Sequence, residues 1–201
     1  MSGMRGDDIA WTAVITLIAV TINPLLKWFG LLPADVFRSL GIFYPGLPQI
    51  VFGPLMAFLL LLLFLKTGRA MVFPVVGFLR ALSLSFVFPA NLEHSGTLLA
   101  AIVAGAFAAA LLTKAERAES RIWLPVLAGC YAGLYAACNY LTTFVFGPAA
   151  QTGVILNSPL KATGVVLGSL VLGTAFGLLA CWLMRPLQAS AVARLAPRFG
   201  S

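Results

Sequence analysis

Few residues in this chain could do chemistry, so the position of each one matters. Among 201 residues there are six acidic side chains and one histidine. Glu93 and His94 stand side by side in "FPANLEHSG", between two long apolar runs. An adjacent acid and imidazole could act as an acid–base pair or start a metal site. Nothing completes either arrangement: there is no HExxH, no second histidine and no cysteine cluster. A loop contact to a ligand, or a solvated turn, is the better reading. A Walker motif and a full nucleophile–base–acid set are also missing. The chain is therefore expected not to be an enzyme, to carry no cofactor and to hold no metal. Cys130, Cys138 and Cys181 all fall inside apolar runs and read as thiols in apolar surroundings.

The polar residues embedded in apolar runs are more informative. Arg80 sits in the middle of "VVGFLRALSLSFVF". A central arginine costs a membrane helix at least ~2.5 kcal/mol on insertion scales, so it should face the bundle interior, a pocket or a carboxylate. The alternative is a helix that starts later, with Arg80 snorkelling to the interface. Ser83 follows about one turn on. In "CYAGLYAACNYLTTFVFG", Tyr131, Tyr135, Asn139, Thr142 and Thr143 fall within an arc of about 120° on a helical wheel. Such a ladder should not face lipid, where unpaired polar groups are costly. It either bonds helix to helix or lines a ligand cavity. Thr12, Thr16, Ala19 and Asn23 form a weaker version on the first apolar run, where threonines can bond back to their own helix.

These residues must be positioned by membrane helices. The chain is 61% hydrophobic and 9% charged, against about 25% charged in a typical soluble protein. Runs such as "LMAFLLLLLFL" do not alternate as a transmembrane barrel requires. The sequence predicts an all-α membrane protein, a single integral domain with six transmembrane helices near residues 9–29, 47–65, 71–88, 96–112, 122–146 and 162–184. The first run follows Asp7 and Asp8 and has no small-x-small site close behind it, so it is expected to be a retained helix. Small residues stud the fourth run (Ala100, Ala104, Ala108, beside Ala101, Gly105 and Ala109) and the sixth (Gly164, Gly168, Gly173, Gly177), mostly for close packing.

The net charge of +7 does not suggest nucleic acid, because the basic residues sit at the ends of apolar runs. With a cytoplasmic N-terminus, Arg5, Lys66, Arg69, Lys114, Arg117, Arg121, Arg185, Arg194 and Arg198 are inside, while Lys27, Arg38 and Lys161 are outside. This nine-to-three asymmetry predicts both termini inside. Glu93 and His94 then face outward. So do two long connectors, 30–47 and 147–161, which read as irregular loops able to act as lids.

The arrangement resembles the substrate-binding S-components of energy-coupling factor vitamin transporters. The likeness is carried by "GLPQIVFGPLMAFLLLLLFLKTGRAMVFPVVGFLRALSLSF", with its Gly/Pro-rich loop, leucine-rich helix, short basic turn and small/polar third helix. It is carried also by "LPVLAGCYAGLYAACNYLTTFVFG", which is similar to the fifth helix of that family. It covers most of the chain and is architectural. One departure is the first helix, where Ala10, Ala13 and Ala19 do not keep the family's AxxxA spacing. The resemblance implies capture of a vitamin-like small molecule on the outer side of a prokaryotic plasma membrane. The implied binding residues are Asn139, Tyr140, Thr143, Tyr135, Asn91, Glu93, His94 and Asn157, with Tyr44 or Phe43 on the lid; Arg80 would suit an anionic group. It implies as partners membrane lipid, a transmembrane coupling subunit and two cytoplasmic ATPases, with no nucleic acid. A structural or assembly subunit of a larger membrane complex is the main rival. A membrane enzyme or a channel is less well served by so sparse a set of acids and only six helices.

Overall fold

The computed structural model describes residues 6–29, 36–37, 39–40, 44–87, 95–113 and 120–184. Among these, seven helices appear and no strands: α1 (Gly6–Trp28), α2 (Gln49–Thr67), α3 (Val72–Val87), α4 (Ser95–Thr113), α5 (Ser120–Phe146), α6 (Ala149–Leu156) and α7 (Pro159–Leu183). Each of the six apolar runs forms one helix. Three helical stretches are long and apolar enough to cross a membrane: Gln49–Thr67, Ile122–Phe146 and Pro159–Leu183. Shorter apolar stretches lie at Ala13–Ile22, Val72–Leu84 and Leu98–Ala110.

Local chemistry sets the helix ends. Pro48 precedes α2, and Gly68 closes it in the left-handed conformation (φ 63°), donating its N–H to the Phe64 carbonyl. Lys66 in the last turn suits the negative end of the helix dipole. Pro159 opens α7, where its missing N–H costs nothing. The connector at 147–161 corrects the reading of a long irregular loop. Pro148, in extended conformation, hands the chain into the eight-residue α6, whose Ile155 is buried.

Helix α5 is the hub and packs against α2, α4 and α7, while α2 also lies along α7. Helix α3 contacts α4 and α1. Small residues permit the close approaches. A Cβ on Gly173 would lie 2.5 Å from that of Ala132, and one on Gly177 would lie 2.8 Å from Cα of Pro125. Ala100, Ala101, Ala104 and Ala108 of α4 are all buried. The buried alanines of α4 and the second glycine pair of α7 thus serve packing within the chain, while Ala109 is exposed. Gly164 differs: nothing lies within 4 Å of where its Cβ would be.

Candidate functional site

Two polar clusters emerge. The first centres on Arg80 of α3, which is only 1% exposed and does not snorkel. One terminal nitrogen donates to the Ala19 carbonyl of α1 (2.7 Å) and the other to the Tyr135 hydroxyl of α5 (3.2 Å). Its guanidinium carbon lies 5.8 Å from the centre of the Phe52 ring and 5.9 Å from that of Tyr135, within cation–π reach. Ser83 donates to the Val20 carbonyl, again tying α3 to α1. The Nε of Arg80 is buried with no partner among the described residues. Every partner of this charge among the described residues is therefore neutral. Tyr131 packs at a tilt against Tyr135 and Phe73, and Phe73 in turn against Phe64, so a chain of ring contacts leads away from the Tyr135 ring beside Arg80.

The predicted ladder on α5 is wholly buried: Tyr131, Tyr135, Asn139, Thr142 and Thr143 all face inward. Its members behave differently. Tyr135 reaches across to Arg80. Asn139 donates its amide to the Tyr135 carbonyl, and Thr142 and Thr143 donate to the Asn139 carbonyl, all within α5. The start of α4 presses on this stretch, since a Cβ on Gly96 would sit 2.6 Å from the Cys138 carbonyl oxygen. Asn91, Glu93 and His94, along with Phe43, lie outside the described residues.

The second cluster caps one end of the bundle. Tyr44 and Tyr140 are buried together with Ala136, Ile155 and Val165. The Tyr44 hydroxyl donates to the Ser158 carbonyl and the Tyr140 hydroxyl to the Pro45 carbonyl, each at 3.1 Å. The segment 44–48 is thus strapped across α5, α6 and α7. Gly46 takes φ +82° and lies against the Tyr140 ring, where a Cβ would be 2.5 Å from three of its atoms. Only glycine fits such a backbone and such an approach. Lys161 stands 5.9 Å from the centre of the Tyr44 ring. Burial raises the Tyr44 phenol above its ordinary pKa, so it remains a donor at neutral pH. Asn157 ends α6 and is exposed.

The structure therefore brings Arg80 to Tyr135 and Tyr44 to Tyr140 through the strap, while Asn139 and Thr143 turn to their own helix. Sequence reading missed Phe52, whose ring covers Arg80. It also missed Gln49 and Ser169, which carry buried side-chain oxygens without partners among the described residues. A lone serine in "VLGSLVLG" was the one available signal for Ser169.

Comparison with known proteins adds one relative. A biotin transporter, BioY, of Rhodobacter capsulatus is 33% identical over 120 residues, which cover 55% of this chain and 63% of the relative. The chain is similar to a vitamin transporter. This likeness bears out the resemblance to vitamin-transporter S-components, and three helical stretches are long and apolar enough to cross a membrane. The match spans less than two thirds of the relative's length. No family profile matches the chain, and no solved structure does.

Proposed function

We propose that this chain is the membrane-embedded substrate-binding subunit of a vitamin uptake system, and that its ligand is biotin or a close carboxylate relative. The single observation that carries the reading is Arg80: a buried guanidinium whose partners among the described residues are all neutral and whose Nε has no partner among them. Burying a charge without neutralising it is expensive. A ligand carboxylate would supply the missing charge and accept the unused N–H in a charge-assisted bond. Biotin, which the relative's name gives as its substrate, is a carboxylate with an apolar chain and a urea ring. Tyr135 and Phe52 would flank the carboxylate. Asn139, Tyr140, Thr143, Asn91, Glu93, His94 and Asn157 would line the rest of the pocket toward the outer side, with Tyr44 on the closing strap.

In this reading both termini are cytoplasmic, six helices span the cell membrane, and the strap end faces outward. Energy comes from a separate transmembrane coupling subunit and two cytoplasmic ATPases. The chain itself performs no catalysis. The test is mass spectrometry of protein purified gently from its membrane, followed by calorimetric titration of the emptied protein with biotin. A retained carboxylate vitamin and saturable one-to-one binding are expected. Protein that retains no small molecule and gives no heat with biotin would instead favour a structural subunit.

A further inference from the structure

Helices α2, α5 and α7 meet at Ala132. A Cβ on Gly53 of α2 would lie 3.1 Å from the Ala132 carbonyl oxygen, and one on Gly173 of α7 would lie 2.5 Å from the Ala132 Cβ. One turn toward the strap, about 6 Å along each axis, the same three faces present Gln49, Ala136 and Ser169. The level is checked independently by Ile50, whose side chain lies 3.7 Å from where a Gly168 Cβ would be. Helix register therefore places Gln49 and Ser169 at one level, opposite the small buried Ala136.

Both carry an orphan. Ser169 is completely buried, and its hydroxyl has no hydrogen-bond partner among the described residues. It does not fold back onto its helix as Thr163 and Thr174 do, which donate to the Pro159 and Leu170 carbonyls. The side-chain carbonyl oxygen of Gln49 is buried and equally unpartnered. Buried polar atoms in native proteins are nearly always paired, so two orphans in one layer point to a missing group. Gln49 offers an acceptor, and the Ser169 hydroxyl can both accept and donate. The complementary ligand group is neutral, carries an N–H donor and has a carbonyl next to it. An amide or a urea has this chemistry; a second carboxylate or an ammonium does not.

We infer that Gln49 and Ser169 are specificity-determining residues that bind a neutral urea or amide head group of the ligand. The inference rests on the proposed carboxylate-binding role of Arg80 and adds the other end of the same molecule. Phe52, whose ring lies by Arg80, is about 4.5 Å of helix rise from Gln49. A single extended ligand can therefore put its anion on Arg80 and its head group in the Gln49–Ser169 layer, just below the strap.

The test uses the full chain in detergent and three probes: biotin, biotin methylated on its urea nitrogens, and biotin methyl ester. Wild type should bind biotin at least about thirtyfold more tightly than the N-methylated probe. Gln49→Leu and Ser169→Ala should each weaken biotin binding, by about ten- to hundredfold and three- to tenfold. Each should also shrink the preference for unmethylated urea while keeping the preference for acid over ester. Ser169→Ala changes one atom and guards against a Gln49→Leu variant that does not fold. If both variants keep the urea preference, or only lose melting temperature, the head-group assignment is overturned while the carboxylate reading stands. If wild type binds none of the probes, both fall together.

Discussion

The Arg80 centre and the strap are both built around tyrosine hydroxyls, yet they are different kinds of structure. At the strap, Tyr44 and Tyr140 donate to backbone carbonyls at Ser158 and Pro45. All these groups are neutral, and each bond closes a local account of donors and acceptors. At the centre, Tyr135 accepts from a guanidinium whose partners among the described residues come from three helices and are all neutral. A satisfied neutral cluster is what a latch needs, since it can hold firmly or let go at modest cost. An unneutralised buried charge is what a binding site needs, because the stabilising interaction is left for the ligand to make.

That contrast can be broken most directly by removing the charge. Arg80→Met should weaken biotin binding by about 2–5 kcal/mol, the usual effect of deleting one member of a buried charge pair, or about thirty- to several-thousandfold. Melting temperature should hold or rise, because an apolar side chain of similar volume replaces an unpaired buried charge. Unchanged affinity with a lower melting temperature would make Arg80 a structural tie between α1, α3 and α5.

Gly46→Val strikes the latch next hardest. A β-branched residue at φ +82° and a Cβ against the Tyr140 ring should cost about 1–3 kcal/mol of strap closure. Ligand dissociation, followed by stopped flow, should speed up about five- to hundredfold. Tyr140→Phe removes only the bond to the Pro45 carbonyl, for about 0.5–1.5 kcal/mol and a two- to tenfold faster release. If either change leaves release untouched, the strap does not gate the ligand.

The smallest effect is alkaline. The Tyr44 pKa in the folded chain is raised above 10.0 by burial, so folding and strapping favour the protonated phenol. That contribution is complete below the unfolded pKa and is lost as pH rises through the higher folded value. Biotin affinity should be flat between about pH 6 and 9 and fall only above about pH 10. Tyr44→Phe should remove that fall.

Much of this was legible in the residues. Apolar run length located the six long helices, and the inward arc of Tyr131, Tyr135, Asn139, Thr142 and Thr143 followed from helical spacing alone. The cost of burying Arg80 placed it in the interior. Its partners were not readable, because Ala19, Phe52 and Tyr135 come from three helices whose mutual rotation depends on small-residue contacts such as Gly53 and Gly173 on Ala132. Helix α6 was missed because eight residues between prolines give too short a pattern. The inward face of Asn139 and Thr143 was legible, but their bonds to carbonyls of α5 were not, because hydroxyls and amides in a helix have both their own carbonyls and neighbouring groups within reach.

The central claim is that Arg80 awaits a carboxylate. Calorimetric titration of wild type and Arg80→Met with biotin and with biotin methyl ester tests it directly. Wild type should bind the acid at least about thirtyfold more tightly than the ester, and Arg80→Met should bind the two about equally and weakly. Equal binding of acid and ester by wild type, or a preference for the acid that survives in Arg80→Met, would contradict it.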